Sequence, residues 1–337
     1  MMSLSEKGRD HGVLVEQAED EIAALNMVQG AWYAGARAMT TTSGGGFALM
    51  TEAVSLAGIT ETPAVIHVAQ RPGPATGLPT RTEQGDLNLV VYAGHGEFPR
   101  VVYAPGTIED GVELAARAFW MADKYQIPAF ILSDQYWLES MIPANPVIPQ
   151  TYLERFVVET DADYKRYAFD PSGLSPRGIP GFGKGFVKVD SDEHDEEGMI
   201  TESFDMRVRM HEKRLNKFNL MKKDEVEPLS FGKPEASNLL IGWGSTYGVL
   251  REWVETHPEA DTSLIHLRLV YPLPVALEEK LRAAKRVVVV ENNATGQLAN
   301  LMQMTYGMKL PHRILKYNGE PFHIDELARL IAEVNHD

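Results

Sequence analysis

Four acidic residues stand together near the start of the chain, and one of them could move a proton. Glu16, Glu19, Asp20 and Glu21 precede or open a run of apolar residues at three- and four-residue steps, which predicts a helix beginning at Asp20. Carboxylates in a first helical turn complement the helix dipole, which is the structural interpretation. The chemical interpretation needs only Glu21, which follows a predicted short strand at 13–15 and could hold or shuttle a proton on a heterocycle.

A single arginine is placed where it could bind a carboxylate. Arg71 directly follows the apolar run 63–69, which predicts a strand buried on both faces, and it stands before Pro72 and Pro74. Because the prolines restrict the backbone around it, Arg71 suits bidentate capture of a carboxylate, with a surface salt bridge as the alternative. Inside the same strand, His67 is expected to be a satisfied core histidine and not a ligand.

Three glycines lie between a predicted strand at 38–42 and a predicted helix at 47–57. Glycines allow positive φ and close approach of a ligand, and a helix N-terminus adds partial positive charge. The spacing matches neither the dinucleotide-binding pattern nor a Walker A loop, so a purely structural turn is the alternative. The residues of this corner are Ser43, Gly44, Gly45 and Gly46.

Composition excludes several classes of protein. The 337 residues carry 47 acidic and 32 basic side chains, a net charge of -15, which argues against nucleic acid or an anionic membrane surface as the main partner. No cysteine is present, so the chain has no disulfide, no thiol nucleophile and no thiolate ligand for an iron–sulfur cluster. No metal-binding motif, signal peptide or long apolar run is found, so we expect no metal site and a cytoplasmic location.

Alternating strand and helix patterns predict an α/β protein with two parallel-sheet domains. The first domain spans 1–140, and within it the polar segment 70–96 is too long for a plain connection, which predicts a functional loop. Residues 141–236 are rich in proline and acidic residues and predict an irregular connecting arm with one helix at 202–220. A second α/β domain spans 237–337.

Several segments, taken together, resemble the α subunit of 2-oxoacid:ferredoxin oxidoreductases, and the resemblance covers nearly the whole chain. The segments are QAEDEIAA at 17–24, QGA at 29–31, TTTSGGGF at 40–47, ETP at 61–63, QRPGPATGLPT at 70–80, QGD at 84–86, EHDEEG at 193–198, YPLP at 271–274 and VENNATGQL at 290–298.

The resemblance implies a thiamine-diphosphate enzyme in which this subunit supplies a pyrimidine-type domain, followed by a transketolase C-terminal-like domain. A partner β subunit would supply the diphosphate and Mg²⁺ site and the iron–sulfur clusters, in agreement with the lack of cysteine here. By its position before QGA, Glu21 would pair with N1′ of the aminopyrimidine. Arg71 would hold the substrate carboxylate, with Thr76 and Arg81 in the same loop as further substrate-binding residues. The corner would line the cofactor through Ser43, Gly44, Gly45 and Gly46.

The implied reaction is oxidative decarboxylation of a 2-oxoacid to acyl-coenzyme A, with electrons passing through the partner's clusters to ferredoxin. We expect 2-oxoglutarate as the substrate, because a second cation near Arg71, such as Arg81 or Arg100, could bind its distal carboxylate. One alternative is a transketolase-like or 2-oxoacid dehydrogenase subunit that passes the acyl group to lipoamide or an aldehyde. Another is a non-catalytic scaffold that organises partner subunits.

One feature of the family has no counterpart at the start of the chain. Family members usually begin with an extra strand and a Tyr-Pro-Ile-Thr-Pro motif, and residues 1–12 contain nothing like it. We therefore expect either a truncated sequence or a strand supplied from elsewhere.

Overall fold

A computed structural model describes residues 2–143 and 151–336 of the chain. Pro146 and Pro149 of the predicted arm lie outside these ranges. The elements of the first part are α1 (Met2–Arg9), α2 (Glu21–Tyr33), β1 (Met39–Ser43), α3 (Gly44–Leu49), α4 (Thr51–Ile59), β2 (Ala64–Gln70), α5 (Leu87–Tyr92), β3 (Val101–Tyr103), α6 (Ile108–Tyr125), β4 (Pro128–Asp134) and α7 (Gln135–Glu139).

The later elements begin with the predicted helix of the arm. They are α8 (Phe204–Met221), β5 (Leu229–Gly232), β6 (Asn238–Trp243), α9 (Tyr247–Thr256), β7 (Thr262–Leu267), β8 (Leu269–Tyr271), α10 (Val275–Ala283), β9 (Arg286–Glu291), α11 (Gln297–Tyr306), β10 (His312–Leu315) and α12 (Ile324–His336), with short 3-10 helices at Lys222–Asp224, Gly244–Thr246 and Pro258–Ala260.

The first sheet has the strand order β1-β2-β4-β3-β8. Strands β1, β2, β4 and β3 are parallel, as the sequence predicted, whereas β8 pairs antiparallel with β3. Strand β4 is buried along its whole length, because helices cover both faces of the sheet centre. The β8 pairing adds a strand from the later part of the chain to the sheet of the earlier part.

The second sheet has the order β10-β9-β6-β7-β5. Four neighbouring strands, β10, β9, β6 and β7, are parallel to one another. Strand β5, at the edge of the sheet, is antiparallel to β7. The protein is therefore an α/β protein with two sheets, as predicted, but each sheet is mixed and not purely parallel. Both antiparallel strands are only three or four residues long, and such short segments carry little pattern in the sequence.

Two local predictions are wrong. Residues 13–15 form no strand, since Val13 and Leu14 are exposed and no strand in the described ranges pairs with them. The predicted helix at 47–57 is two helices, because Met50, with φ -86° and ψ -5°, separates α3 from α4.

The segment 151–203 has no helix or strand, and the arm packs against the first domain through buried charges. Glu61, two residues after α4, forms ion pairs with the ammonium groups of Lys213 at 2.8 Å and Lys217 at 2.6 Å, both on α8. The guanidinium of Arg166 donates to the backbone oxygen of Glu61 at 2.7 Å. All these side chains are buried, so α8 is fixed against the domain that carries β1 and β2.

None of the helices in the described ranges is long and apolar enough to cross a membrane.

Candidate active site

The glycine corner and Arg71, two of the predicted site features, lie at one edge of the first sheet. Strands β1 and β2 are neighbouring parallel strands, and Ser43 at the end of β1 is in register with Ala69 of β2. Ser43 therefore lies at the same edge as Arg71, which follows β2. The carboxyl edge of a parallel sheet is where open α/β folds bind ligands.

The glycines of the corner serve to leave room, not to allow positive φ. Gly44, Gly45 and Gly46 form the first turn of α3 and have no left-handed backbone, contrary to the sequence expectation. A Cβ atom on Gly46 would lie 2.6 Å from Oε1 of Glu21 and would overlap Oγ1 of Thr42. On Gly45 the nearest atom would be 3.8 Å away. The corner is thus bare because a carboxylate lies against it.

That carboxylate is half-buried and carries no hydrogen bond. Glu21 is the first residue of α2, and it does not follow a strand as predicted. Asp20 acts as the N-cap, its Oδ1 accepting from the N–H of Ala23 at 2.7 Å. The side chain of Glu21 has no hydrogen-bond or ion-pair partner in residues 2–143 and 151–336. The helix start is capped without it, so Glu21 is free to meet a ligand.

A second carboxyl group lies against the other end of the corner. A Cβ atom on Gly44 would be 2.6 Å from Oδ1 of Asp86. Burial raises the pKa of Asp86 to about 6, although the positive charge of Arg71 acts in the opposite direction. Burial and the charge of Asp86 also raise the pKa of Glu83.

Arg71 is half-buried and unpaired. Within the described part of the chain, no carboxylate oxygen lies within 4 Å of its guanidinium, so the alternative of a structural salt bridge does not hold. Its charge acts on Asp86 at longer range. An arginine at a strand end with no protein partner can bind an external carboxylate.

The loop after Arg71 folds back on itself. Gly77 has φ +53°, and a Cβ atom there would overlap the carbonyl oxygen of Pro72, which accepts from the N–H of Leu78 at 3.1 Å. Thr76 is exposed on this turn. Arg81 is also exposed, and its Cβ and Cγ atoms face Gly319 from the later part of the chain. No hydrogen bond joins the side chain of Thr76 or Arg81 to Arg71 in the ranges that the structure covers.

Gln84 anchors the loop to the second sheet, and sequence reasoning did not single it out. Its Nε2 donates to the backbone oxygen of Trp243 at 2.7 Å, and its Oε1 accepts from the N–H of Asn292 at 2.9 Å. Asn293 Nδ2 donates to the backbone oxygen of Gln84 at 3.2 Å, and Gln297 Nε2 donates to that of Gly85 at 2.7 Å. The signal was present: QGD and VENNATGQL are among the segments of the resemblance, and here they bind each other.

Arg100 cannot serve as a second substrate cation. It is buried, and its guanidinium donates to the backbone oxygens of Val90 at 3.0 Å and Ala93 at 2.6 Å. His67 is satisfied, as expected: Nδ1 lies 2.7 Å from Oγ1 of Thr41, and Nε2 lies 2.7 Å from Oγ of Ser133. Burial lowers the pKa of His67, so the ring is a neutral bridge between strands.

No cluster of three or more histidine, aspartate or glutamate side chains in the described ranges could hold a metal ion. The arrangement instead has a half-buried free carboxylate, a surface without side chains and an unpaired arginine on one sheet edge. It suits an organic cofactor with a basic ring nitrogen, together with an acidic substrate. These features define an α/β cofactor-binding domain.

Comparison with known proteins gives the family. Residues 1–213 match the family described as pyruvate flavodoxin/ferredoxin oxidoreductase, thiamine diphosphate-binding. The chain belongs to this family, and within it to the α subunits of 2-oxoacid:ferredoxin oxidoreductases. The thiamine-diphosphate-binding domain expected from the sequence is therefore confirmed.

The relatives differ in how much of their length the chain spans. It is 39% identical to 2-oxoacid:ferredoxin oxidoreductase 1, subunit alpha, of Sulfurisphaera tokodaii, covering 96% of this chain and 53% of that protein. It is 34% identical to the 2-oxoglutarate synthase subunit KorA of Methanocaldococcus jannaschii, covering 82% of this chain and 75% of the relative. The chain thus spans about half the length of several curated relatives.

A solved structure has the same fold. The 2-oxoglutarate:ferredoxin oxidoreductase of Magnetococcus marinus, with 2-oxoglutarate, coenzyme A and succinyl-CoA bound, matches with a TM-score of 0.90 and 34% sequence identity. The match covers 98% of this chain and 59% of that one.

The residues present fit thiamine diphosphate. The carboxylate of Glu21 needs a hydrogen-bond donor, and a protonated ring nitrogen of an aminopyrimidine supplies one. The glycine corner beside it offers a flat surface on which a ring can lie close to the backbone.

Proposed function

We propose that this chain is the α component of a thiamine-diphosphate-dependent 2-oxoacid:ferredoxin oxidoreductase. The observation that carries the proposal is the carboxylate of Glu21, half-buried against Gly46 and without a protein partner. A carboxylate with no protein partner, next to a surface without side chains, is available to bind a ligand.

Glu21 would hold the pyrimidine ring nitrogen, and Ser43, Gly44, Gly45 and Gly46 would form the surface beside the ring. Thiamine diphosphate supplies a carbon nucleophile for attack on a 2-oxo group and stores the electrons released with CO₂. The contribution of Glu21 is to share a proton with the ring nitrogen and so set the basicity of the amino group on the same ring.

Arg71 would bind the carboxylate next to the 2-oxo group and so orient the substrate. Thr76 and Arg81 lie farther along the loop and are proposed to contact the rest of the substrate. Arg81 and Arg100 were the two cations expected to bind a second carboxylate. Only Arg81 is exposed, so the proposed preference for 2-oxoglutarate depends on Arg81. The Magnetococcus marinus enzyme, whose structure holds 2-oxoglutarate, supports this choice.

A β subunit is the proposed partner. It would bind the diphosphate through Mg²⁺. It would also carry the iron–sulfur cluster, because this chain has no cysteine to ligate one. Ferredoxin would accept the electrons and coenzyme A the acyl group. The subunit names of the relatives support a multi-subunit enzyme.

Co-expression with the β subunit tests the proposal. The purified complex is assayed with pyruvate, 2-oxobutyrate and 2-oxoglutarate, with coenzyme A and methyl viologen. We expect viologen reduction that depends on thiamine diphosphate and coenzyme A, fastest with 2-oxoglutarate. Transfer to lipoamide without viologen reduction would favour a dehydrogenase subunit, and no turnover in a stable complex would favour a scaffold.

A further inference from the structure

Asp86 occupies a defined place between the substrate loop and the glycine corner. Its N–H donates to Oε1 of Gln70 at 3.0 Å, and Gln70 Nε2 donates to the backbone oxygen of Ser133 at 3.2 Å. Gln70 is buried and is the last residue of β2, directly before Arg71. The backbone of Asp86 is therefore tied to the strand end that carries Arg71.

The carboxyl group of Asp86 lies against the backbone of Gly44, close enough that any side chain there would collide with it. Asp86 precedes α5 but does not cap it, and its side chain accepts no hydrogen bond within the part of the chain that the structure describes. Like Glu21, it is a half-buried carboxyl group that the protein leaves without a partner.

Arg71, which follows β2, is the charged group that acts on Asp86, and burial together with the charge of Asp86 raises the pKa of Glu83 on the same loop. Arg71 favours the carboxylate form, but it is more than 4 Å away and does not form an ion pair with Asp86. Burial outweighs its effect and raises the pKa of Asp86 to about 6.

A carboxylate bound by Arg71 adds one more negative charge to this cluster. Ionised Asp86 would repel it, whereas the protonated acid has an O–H that can donate a hydrogen bond to it. Hydrogen bonds with one charged partner are among the strongest in proteins. The better state for binding a 2-oxoacid is therefore the neutral one.

We propose that Asp86 is a substrate-binding residue that takes up a proton from solvent when Arg71 binds the substrate carboxylate, and then donates a hydrogen bond to that anion. This inference rests on the proposed function, because it takes the ligand of Arg71 to be a 2-oxoacid. It goes further by assigning Asp86 a role and by linking substrate affinity to pH.

The first test is the pH dependence of KM in the assembled αβ enzyme. For the unmodified enzyme we expect KM for 2-oxoglutarate to be constant below about pH 6 and to rise by up to tenfold per pH unit above it. Asp86→Asn keeps a donor of the same shape without ionising, so its KM should stay low and flat. Glu83→Gln is the matched control on the same loop and should keep the pH slope. Turnover with a flat KM in the unmodified enzyme, or an unchanged slope in Asp86→Asn, overturns the role of Asp86.

The second test does not depend on turnover. Binding of oxamate, a 2-oxoacid analogue that cannot be decarboxylated, is measured by calorimetry at pH 7.5 in phosphate and in Tris. The difference in heat should correspond to uptake of about one proton by the unmodified complex and none by Asp86→Asn. Equal heats in the two buffers, or no binding of oxamate, overturn the inference. Proton uptake by a complex that shows no viologen reduction would instead contradict only the proposed reaction.

Discussion

Gln84 and Asn292 join the substrate loop to the second sheet by a pair of hydrogen bonds. The N–H of Gln84 donates to the backbone oxygen of Asn292 at 2.6 Å, and the N–H of Asn292 donates to Oε1 of Gln84 at 2.9 Å. Both residues are buried. The loop that begins at Arg71 is therefore held at its far end by the other sheet.

Gln84→Ala should loosen the loop. It removes the side-chain bonds to Trp243 and Asn292. The buried N–H of Asn292 is then left without a partner, which costs about 1–3 kcal/mol, whereas the backbone oxygen of Trp243 still accepts from the hydroxyl of Thr246. We expect a lower melting temperature and a KM for 2-oxoacid raised about tenfold, measured by thermal unfolding and steady-state kinetics. Asn219→Ala, an exposed change on α8, is the control. An unchanged KM in Gln84→Ala would show that the loop does not need this anchor.

Gly46→Ala should damage cofactor binding, and Gly45→Ala should not. The new methyl group at 46 would meet Oε1 of Glu21 at 2.6 Å, whereas the one at 45 has no neighbour nearer than 3.8 Å. Both changes add the same atoms to the same turn, so the pair separates a local clash from a general loss of glycine. The measurement is the dissociation constant of thiamine diphosphate in the αβ complex, which we expect to rise at least tenfold for Gly46→Ala only. Equal values for the two variants would mean that Glu21 is not positioned by the bare surface.

Glu61→Gln should weaken the contact between α8 and the first domain and so lower the stability of the protein. The ammonium groups of Lys213 and Lys217 and the guanidinium of Arg166 hold the pKa of Glu61 well below its usual value, although burial opposes them. Breaking one side of a buried ion pair costs about 3–5 kcal/mol. Thermal unfolding at pH 7 should show a clear fall in melting temperature, compared with Glu212→Gln on the exposed side of α8 as the control.

The same cluster predicts sensitivity to acid. Because the pKa of Glu61 is lower in the folded than in the unfolded chain, its stabilisation is complete above the unfolded pKa of about 4.3 and is lost as the pH falls below it. The melting temperature of the unmodified chain should therefore fall more steeply between pH 5 and about pH 3 than that of Glu61→Gln. Parallel curves would show that the pKa of Glu61 is the same in the folded and the unfolded chain.

Arg71→Lys should weaken substrate binding more than it slows turnover. Lysine keeps the charge but cannot form two parallel hydrogen bonds with a carboxylate, so we expect KM for every 2-oxoacid to rise about tenfold or more. Arg81→Gln is the companion variant: if Arg81 binds a second carboxylate, only KM for 2-oxoglutarate should rise, with that for pyruvate unchanged. Steady-state kinetics with both substrates decide between the two effects.

The parts that the sequence predicted well are those with strong local patterns. The apolar strand β2 and the helix α8 of the arm were located to within one or two residues, because the residue pattern and the capping residues of such an element are neighbours in the chain. Glu21, Arg71 and the glycine corner could be selected because all three stand at the ends of such elements.

The remaining features depend on residues far apart in the sequence. Glu61 and Lys213 meet across 152 positions, and Gln84 meets Asn292 across 208, so no local pattern can reveal either pair. The edge strands β5 and β8 were missed because their pairing with β7 and β3 is set by tertiary packing. Positions 44 and 46 require glycine because the side chain of Asp86 lies against Gly44 and that of Glu21 lies against Gly46. No local sequence pattern shows these contacts.

The most direct test of the account is Glu21→Gln in the assembled αβ enzyme, with the exposed Glu19→Gln as the matched control. The amide keeps the shape of the side chain but cannot share a proton with the pyrimidine ring. We predict that kcat for thiamine-diphosphate-dependent viologen reduction falls about 10²-fold or more in Glu21→Gln and stays within about twofold in Glu19→Gln. Near-normal turnover by Glu21→Gln would contradict the claim that this carboxylate activates the cofactor.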